Sequence, residues 1–290
     1  MTSYRSLSVD GVQVFYREAG PADAPTLVLL HGFPSSSHMF RDLIPLLAGQ
    51  FHLIAPDYPG FGYSDAPTPN TVTYTFDRLA EVVEHLLGAL GIERFSLYVQ
   101  NYGAPVGFRI AARNPERIEA IITQNGNAYE EGFTPFWESL VAFSANWTPE
   151  TEASVRRLLT PETTIAQYTG GVRDVAHISP DSYTLDQHFL DRPGNAEIQL
   201  RLFYDYQFNR ALYPAWQAYF RHYQPPTLVI WGARDAIFGP DGARAFLRDL
   251  PQAEIHLLET GHFALEEDAA TIATHIQRFL SQVISARGGH

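Results

Sequence analysis

The sequence predicts an α/β architecture, a mostly parallel sheet flanked by helices, with a block of helices inserted late in the chain. Three observations carry this prediction. Short, nearly continuous apolar runs such as TLVLL and FSLYVQ alternate with segments of helical periodicity, the pattern of strands covered on both faces. The residues just beyond several of these runs are chemistry-capable groups, as the strand ends of an open parallel sheet require. The alternation breaks over roughly 127–224, where helical patches and many aromatics occur without a clear strand.

Taken in order, SLSV and VQVFYRE alternate and read as an antiparallel start, and APTLVLLHG is a buried strand ending on glycine. HMFRDLIPLLAG has helical spacing and FHLIAPD is a strand. FDRLAEVVEHLLGALG places Leu79, Val82, Val83, Leu86 and Leu90 on one helical face, with glycine at its close. FSLYVQ is the next strand, GFRIAARNP a helix and RIEAIITQNG a strand. Beyond the interruption come the strand PPTLVIWGARD, the helix GARAFLRDL, the strand AEIHLLETG and a final helix carrying Ile272, Ile276, Phe279 and Val283. The division that follows is a core of residues 1–126 and 225–290 with a helical cap of residues 127–224.

Composition narrows the function. A chain of 290 residues with 45% apolar residues, 19 Phe and 15 Tyr has material for a packed core and a greasy pocket. The net charge of −12 is spread along the chain, and the longest basic run is the pair Arg156-Arg157, so no footprint for nucleic acid exists. With no cysteine there is no disulfide, thiol nucleophile or thiolate metal site. The start MTSYRSLSVDG lacks an apolar secretion core and no run is long enough to span a bilayer, so a soluble, cytoplasmic chain is expected, without membrane contact. The eleven histidines never adopt a ligand spacing such as H-E-x-x-H and no glycine-rich phosphate fingerprint follows a strand, so neither metal nor cofactor is expected. Oligomeric state is left open.

The strand ends supply the chemistry. His31-Gly32-Phe33-Pro34 makes a sharp loop whose Phe33 N–H could serve half of an oxyanion hole. LYVQNYGAPVG has the small residues Gly103, Ala104 and Gly107 that a strained strand-to-helix elbow needs, with Asn101 at its tip. Asp235 in WGARDAIF and His262 in ETGHFALEE follow later strands. Each alone reads as a turn or surface residue. The order 101, 235, 262 reproduces the nucleophile, acid, histidine order of one hydrolase architecture. Gly62-Tyr63-Ser64-Asp65-Ala66 is a decoy, since it follows a glycine-rich loop instead of leading from a strand into a helix; its loop reads as an active-site rim.

On these residues the chain resembles the α/β-hydrolase fold family, in its epoxide hydrolase and haloalkane dehalogenase branch. HGFP is similar to that branch's HGxP loop, whose proline is commonly cis, and VQNYG lines up with its V-Q-D-W-G elbow. The resemblance implies that an aspartate at position 101 attacks an electrophilic carbon to give an alkyl-enzyme ester. It implies further that His262, oriented by Asp235, activates water against the ester while the N–H groups of Phe33 and Tyr102 hold its oxygen. Asn101 has the shape of that aspartate without its charge. The resemblance therefore implies an Asp→Asn substitution that arrests turnover, with kcat lowered on the order of 10⁴ to 10⁶. A natural ligand-binding member of the fold, or chemistry that uses His262 without a covalent step, are the competing explanations.

The implied substrate is a small apolar organic molecule, with His31, Pro34, Trp137, Trp147, Tyr204 and Tyr206 as its expected contacts. Phe33 and Tyr102 stand where many dehalogenases carry asparagine and tryptophan, so epoxide opening is preferred, with Tyr204 or Tyr206 as the polarising tyrosine and Tyr206 favoured by the following Asn209. The second tyrosine is left between Tyr168 and Tyr183. Trp137 or Trp147 as halide donors keep haloalkane or haloacid dehalogenation as the alternative, and a non-catalytic small-ligand-binding protein is a further one. Esters and lactones are disfavoured by the absence of an elbow serine.

Overall fold

The computed structural model describes residues 1–288. Eight strands form one sheet: β1 (Ser3–Val9), β2 (Val12–Ala19), β3 (Thr26–Leu30), β4 (His52–Pro56), β5 (Phe95–Gln100), β6 (Ile118–Gln124), β7 (Thr227–Gly232) and β8 (Glu254–Leu258). Their order is β1-β2-β4-β3-β5-β6-β7-β8; β1–β2 and β2–β4 pair antiparallel and all other pairs are parallel. Because the chain leaves β3 towards β4 on one side and later places β5 on the other, the order reverses at β3. The crevice of such a reversal lies at the carboxyl ends of the strands beside it.

Helices α1 (Leu43–Leu47), α2 (Phe76–Ala89), α3 (Gly103–Arg113), α9 (Pro240–Ala245) and α10 (Leu265–Gly288) accompany the sheet. Leu79, Val82, Val83 and Leu86 are all buried on α2, as their spacing predicts, and Thr75 caps the helix by accepting from the Arg78 N–H. The single helix expected over HMFRDLIPLLAG is instead a 3₁₀ turn at Ser37–Phe40 followed by α1. Pro45 is the cause: it offers no N–H to the Arg41 carbonyl and its ring crowds that group. The helix expected over GARAFLRDL likewise divides into α9 and a 3₁₀ turn at Phe246–Arg248.

Between β6 and β7 the chain forms α4 (Glu138–Ala145), α5 (Pro149–Arg156), α6 (Pro161–Thr169), α7 (Pro180–Leu190) and the 29-residue α8 (Asn195–Tyr223). These helices lie over the carboxyl ends of the strands. Two contacts pin α8 to the core: Asp205 Oδ2 accepts from the Phe76 N–H at 2.8 Å, and Asn209 Oδ1 from Arg109 Nη1 at 2.7 Å. A third contact is built from a buried acid. The Tyr168 hydroxyl on α6 donates to Asp186 on α7 at 2.5 Å and lies 3.4 Å from Ser35 Oγ of the core. No helix among the described residues is long and apolar enough to cross a membrane.

Burial pushes Asp186 up from its ordinary 3.8 to about 7, against the opposing pull of Tyr168 and Ser35. The folded chain thus keeps a proton that the unfolded chain releases above about pH 4. Stability should fall as pH rises from about 4 to about 7, by at most about 1.4 kcal/mol per unit from this group. Asp186→Asn is expected to flatten that slope, measured as urea midpoints at pH 5 and pH 8; equal slopes in parent and variant refute it.

The elbow after β5 depends on close backbone contact. A Cβ added at Gly103 would sit 2.1 Å from the Leu30 carbonyl oxygen, which belongs to a central strand and cannot move aside. Gly103→Val is expected to destabilise by about 3 kcal/mol or more. Urea denaturation is the measurement, and a loss below about 1 kcal/mol would contradict the close approach.

Candidate active site

Asn101 occupies the tip of the turn between β5 and α3 with φ of +48°, in the left-handed region that asparagine tolerates better than most residues. Against it lies the loop after β3, where a Cβ on Gly32 would fall 2.3 Å from Asn101 Cβ. That absent methyl lets the Phe33 N–H reach Asn101 Oδ1 at 3.0 Å, while the Tyr102 N–H donates to the same oxygen at 2.7 Å. The Phe33–Pro34 bond that shapes this loop is cis.

Two backbone donors on one oxygen fix which way the amide points. Asn101 Nδ2 is therefore the atom 3.2 Å from His262 Nε2, and Gln100 Nε2 lies 3.0 Å from the same nitrogen. An amide nitrogen only donates, so His262 Nε2 accepts and the ring proton resides on Nδ1. From there it is donated to Asp235 Oδ2 at 2.7 Å. Asp235 also accepts from Asn125 Nδ2 at 2.8 Å and from the Ile237 N–H at 2.7 Å. All three side chains are buried, with exposures of 5% for Asn101 and Asp235 and 2% for His262. A buried carboxylate so well supplied with donors holds the imidazole in one orientation.

Asn125 escaped the sequence reading, although it follows β6 as Asn101 follows β5. It has φ of +47° and its Oδ1 accepts from the Gly232 N–H at 2.9 Å, tying β6 to β7 beneath the acid. The rule that singled out the other strand ends applied equally to QNG.

The space around these groups has three parts. A cavity of only about 20 Å³ touches Asn101, Phe33, Tyr102 and Trp137. On one side it adjoins an outer hollow of about 300 Å³ between α4 and α8, with Trp137, Leu140 and Phe203 shared between the two. On the other it adjoins a cavity of about 130 Å³ lined by His262, Asp235 and residues of α6. A hollow of about 340 Å³ at Thr26, Ser96 and Glu119 opens at the other ends of the strands, away from this chemistry.

Of the expected contacts, Trp137 borders the small cavity and Tyr206 the outer hollow, their rings 4.4 Å apart. The others are corrected. His31 is fully buried and its Nε2 accepts from the Tyr58 N–H at 3.3 Å, and burial lowers its pKa to about 3, so it is a neutral strut under the loop. Pro34 shapes the loop without lining the cavities. Trp147 and Tyr204 pack on each other, and the Trp147 indole donates to Glu152 at 2.7 Å, away from Asn101. Asn209 serves Arg109 and does not support Tyr206. Tyr168 is spent on Asp186, and Tyr183 faces a separate hollow with Pro161 and His188. Ser64 bonds the Asp57 carbonyl at 2.7 Å and accepts from the Phe15 N–H, holding its loop to β2.

Glu254, His256 and His275 come together on β8 and α10 with potential ligand atoms within 4.8 Å of one another, a grouping that spacing along the chain does not reveal. Glu254 already engages His256 and Arg278.

The alpha/beta hydrolase fold family matches residues 25–269, and the chain belongs to it. A relative from Saccharomyces cerevisiae, "Uncharacterized hydrolase YNR064C", is 49% identical over 92% of this chain and 93% of its own length. A haloalkane dehalogenase from Mycobacterium marinum is 30% identical over 91% of this chain and 88% of its own length. Among solved structures, the epoxide hydrolase CorEH superposes with a TM-score of 0.80 at 20% identity, covering 98% of this chain and all of that one.

Proposed function

We propose that the chain is a small-molecule hydrolase scaffold of the aspartate-nucleophile type in which Asn101 halts the covalent step. The observation that carries this reading is the double backbone donation to Asn101 Oδ1, with Nδ2 directed at the His262–Asp235 pair. Oδ1 stands in for the oxygen that becomes the ester carbonyl, and Nδ2 for the oxygen that would attack. An amide lacks the negative charge for that attack. Residues 127–224 act as a cap, and substrate enters between α4 and α8 past Trp137, Leu140 and Phe203.

Epoxides are the preferred substrates. Halide release needs free N–H donors, yet the Trp137 indole is given to the Ile237 carbonyl at 2.8 Å and that of Trp147 to Glu152. Tyr206, whose ring lies 4.4 Å from that of Trp137, is the cap hydroxyl assigned to polarise a ring oxygen. Haloalkane or haloacid dehalogenation is the second reading, favoured by the dehalogenase relative. The test is the Asn101→Asp chain offered epoxides, haloalkanes and haloacids, scored for diol, halide and alcohol. Halide without diol would reverse the order of preference, and no product from any of them would remove the reading.

A further inference from the structure

The small cavity and the 130 Å³ cavity share Phe136, Gln167 and Ile237 as lining residues. Asn101 faces only the first, and His262 only the second. The partition between the two cavities is thus made of two apolar side chains and one amide, beside the point where Asn101 Nδ2 and His262 Nε2 meet at 3.2 Å. Gln167 is 6% exposed, and its Nε2 is buried without any hydrogen-bond partner. An amide N–H left unpaired inside a protein costs about 1–3 kcal/mol, a cost that a hydrogen-bonding group held at this wall would offset.

We propose that the cavity beside His262 is a chamber for the hydrolytic water and that Gln167 is the positioning residue that holds this water at the partition. The inference rests on the ester mechanism proposed above. A water is retained in a largely apolar cavity only where it finds two or more polar partners. The Gln167 amide is one on the chamber wall, and His262 Nε2, which accepts from Asn101 Nδ2 in this chain, becomes the second once residue 101 is an ester that no longer donates to it. The chamber's volume leaves room for several waters, whereas the nucleophile cavity has room for little more than one. In the aspartate form, His262 Nε2 takes a proton from the held water as its oxygen bonds to Cγ of the residue-101 ester. The Cγ–O(alkyl) bond then breaks and the departing alkoxide takes the proton from His262, leaving an alcohol and the carboxylic acid of residue 101, which releases its proton to solvent to restore the carboxylate. Separate approaches for substrate and water keep the pocket dry while the ester forms.

The experiment compares Asn101→Asp with Asn101→Asp/Gln167→Leu and Asn101→Asp/Gln167→Glu on styrene oxide, following ester formation by quenched-flow mass spectrometry and diol release separately. With leucine, ester formation is expected to stay within about twofold while ester hydrolysis slows about tenfold or more, so that ester accumulates. Glutamate, whose carboxyl lacks the amide N–H but can still hydrogen-bond the water, is expected to recover part of the hydrolysis rate, and ester formation within about twofold of the parent shows that the leucine variant is folded. Unchanged hydrolysis, or a loss confined to ester formation, overturns the inference. No ester in the Asn101→Asp chain itself overturns the ester mechanism instead. That outcome removes the role assigned to Gln167 as well, since the water then has no ester to attack.

Discussion

Asn101→Asp is expected to raise kcat on the preferred substrate by about 10⁴ to 10⁶. The substitution changes one NH₂ group to oxygen and leaves shape unaltered, so neither the turn nor the two backbone donors to Oδ1 need to move. What changes is charge. The carboxylate oxygen that replaces Nδ2 becomes a nucleophile, and its partner oxygen remains between the Phe33 and Tyr102 N–H groups, where the charge of the later tetrahedral state is accommodated. Substrate affinity should change little, because the walls of the cavity are untouched. A large gain in kcat with a modest change in KM is therefore the expected pattern. Equal and negligible product from the asparagine and aspartate chains would instead assign the fold a binding role.

His262→Gln in the aspartate chain should trap the reaction halfway. Attack by the residue-101 carboxylate does not use the imidazole, whereas water needs a base to take its proton. One alkyl group per chain is expected by intact-mass measurement, with steady-state turnover lowered about 10⁴-fold. Glutamine is chosen because its amide can still donate to Asp235, whose buried carboxylate would otherwise lose the partner at 2.7 Å. Continued turnover at the parent rate would mean that His262 does not activate the water.

The parts of this site that sequence made legible are those tied to the ends of strands. Chain order places Asn101, Asp235 and His262 after β5, β7 and β8, and parallel topology brings such ends to one rim, so their meeting followed from the pattern of apolar runs. The loop HGFP could be read for the same reason. The helical insertion was legible only as helix. Its aromatic residues have no period that separates an inward from an outward face, which is why Trp147 and Tyr204 were misassigned and Gln167 passed unnoticed. An uncharged glutamine carries no chemical signal until its surroundings are known. His31 was misread because proximity in sequence to Phe33 does not determine on which side of the loop its ring lies. Pro45 was legible in principle, since a proline four residues after Arg41 excludes one continuous helix there.

Helix α8 is fastened to the core at two successive turns, by Asp205 and by Asn209, while α4, α5 and α6 are short and linked by brief connections. The roof over the cavity is accordingly anchored along α8, and the Tyr168–Ser35 contact adds α6 to that anchorage. Any widening for a molecule larger than the resting space is expected on the α4 side, where Leu140 and Phe203 line both the small cavity and the outer hollow.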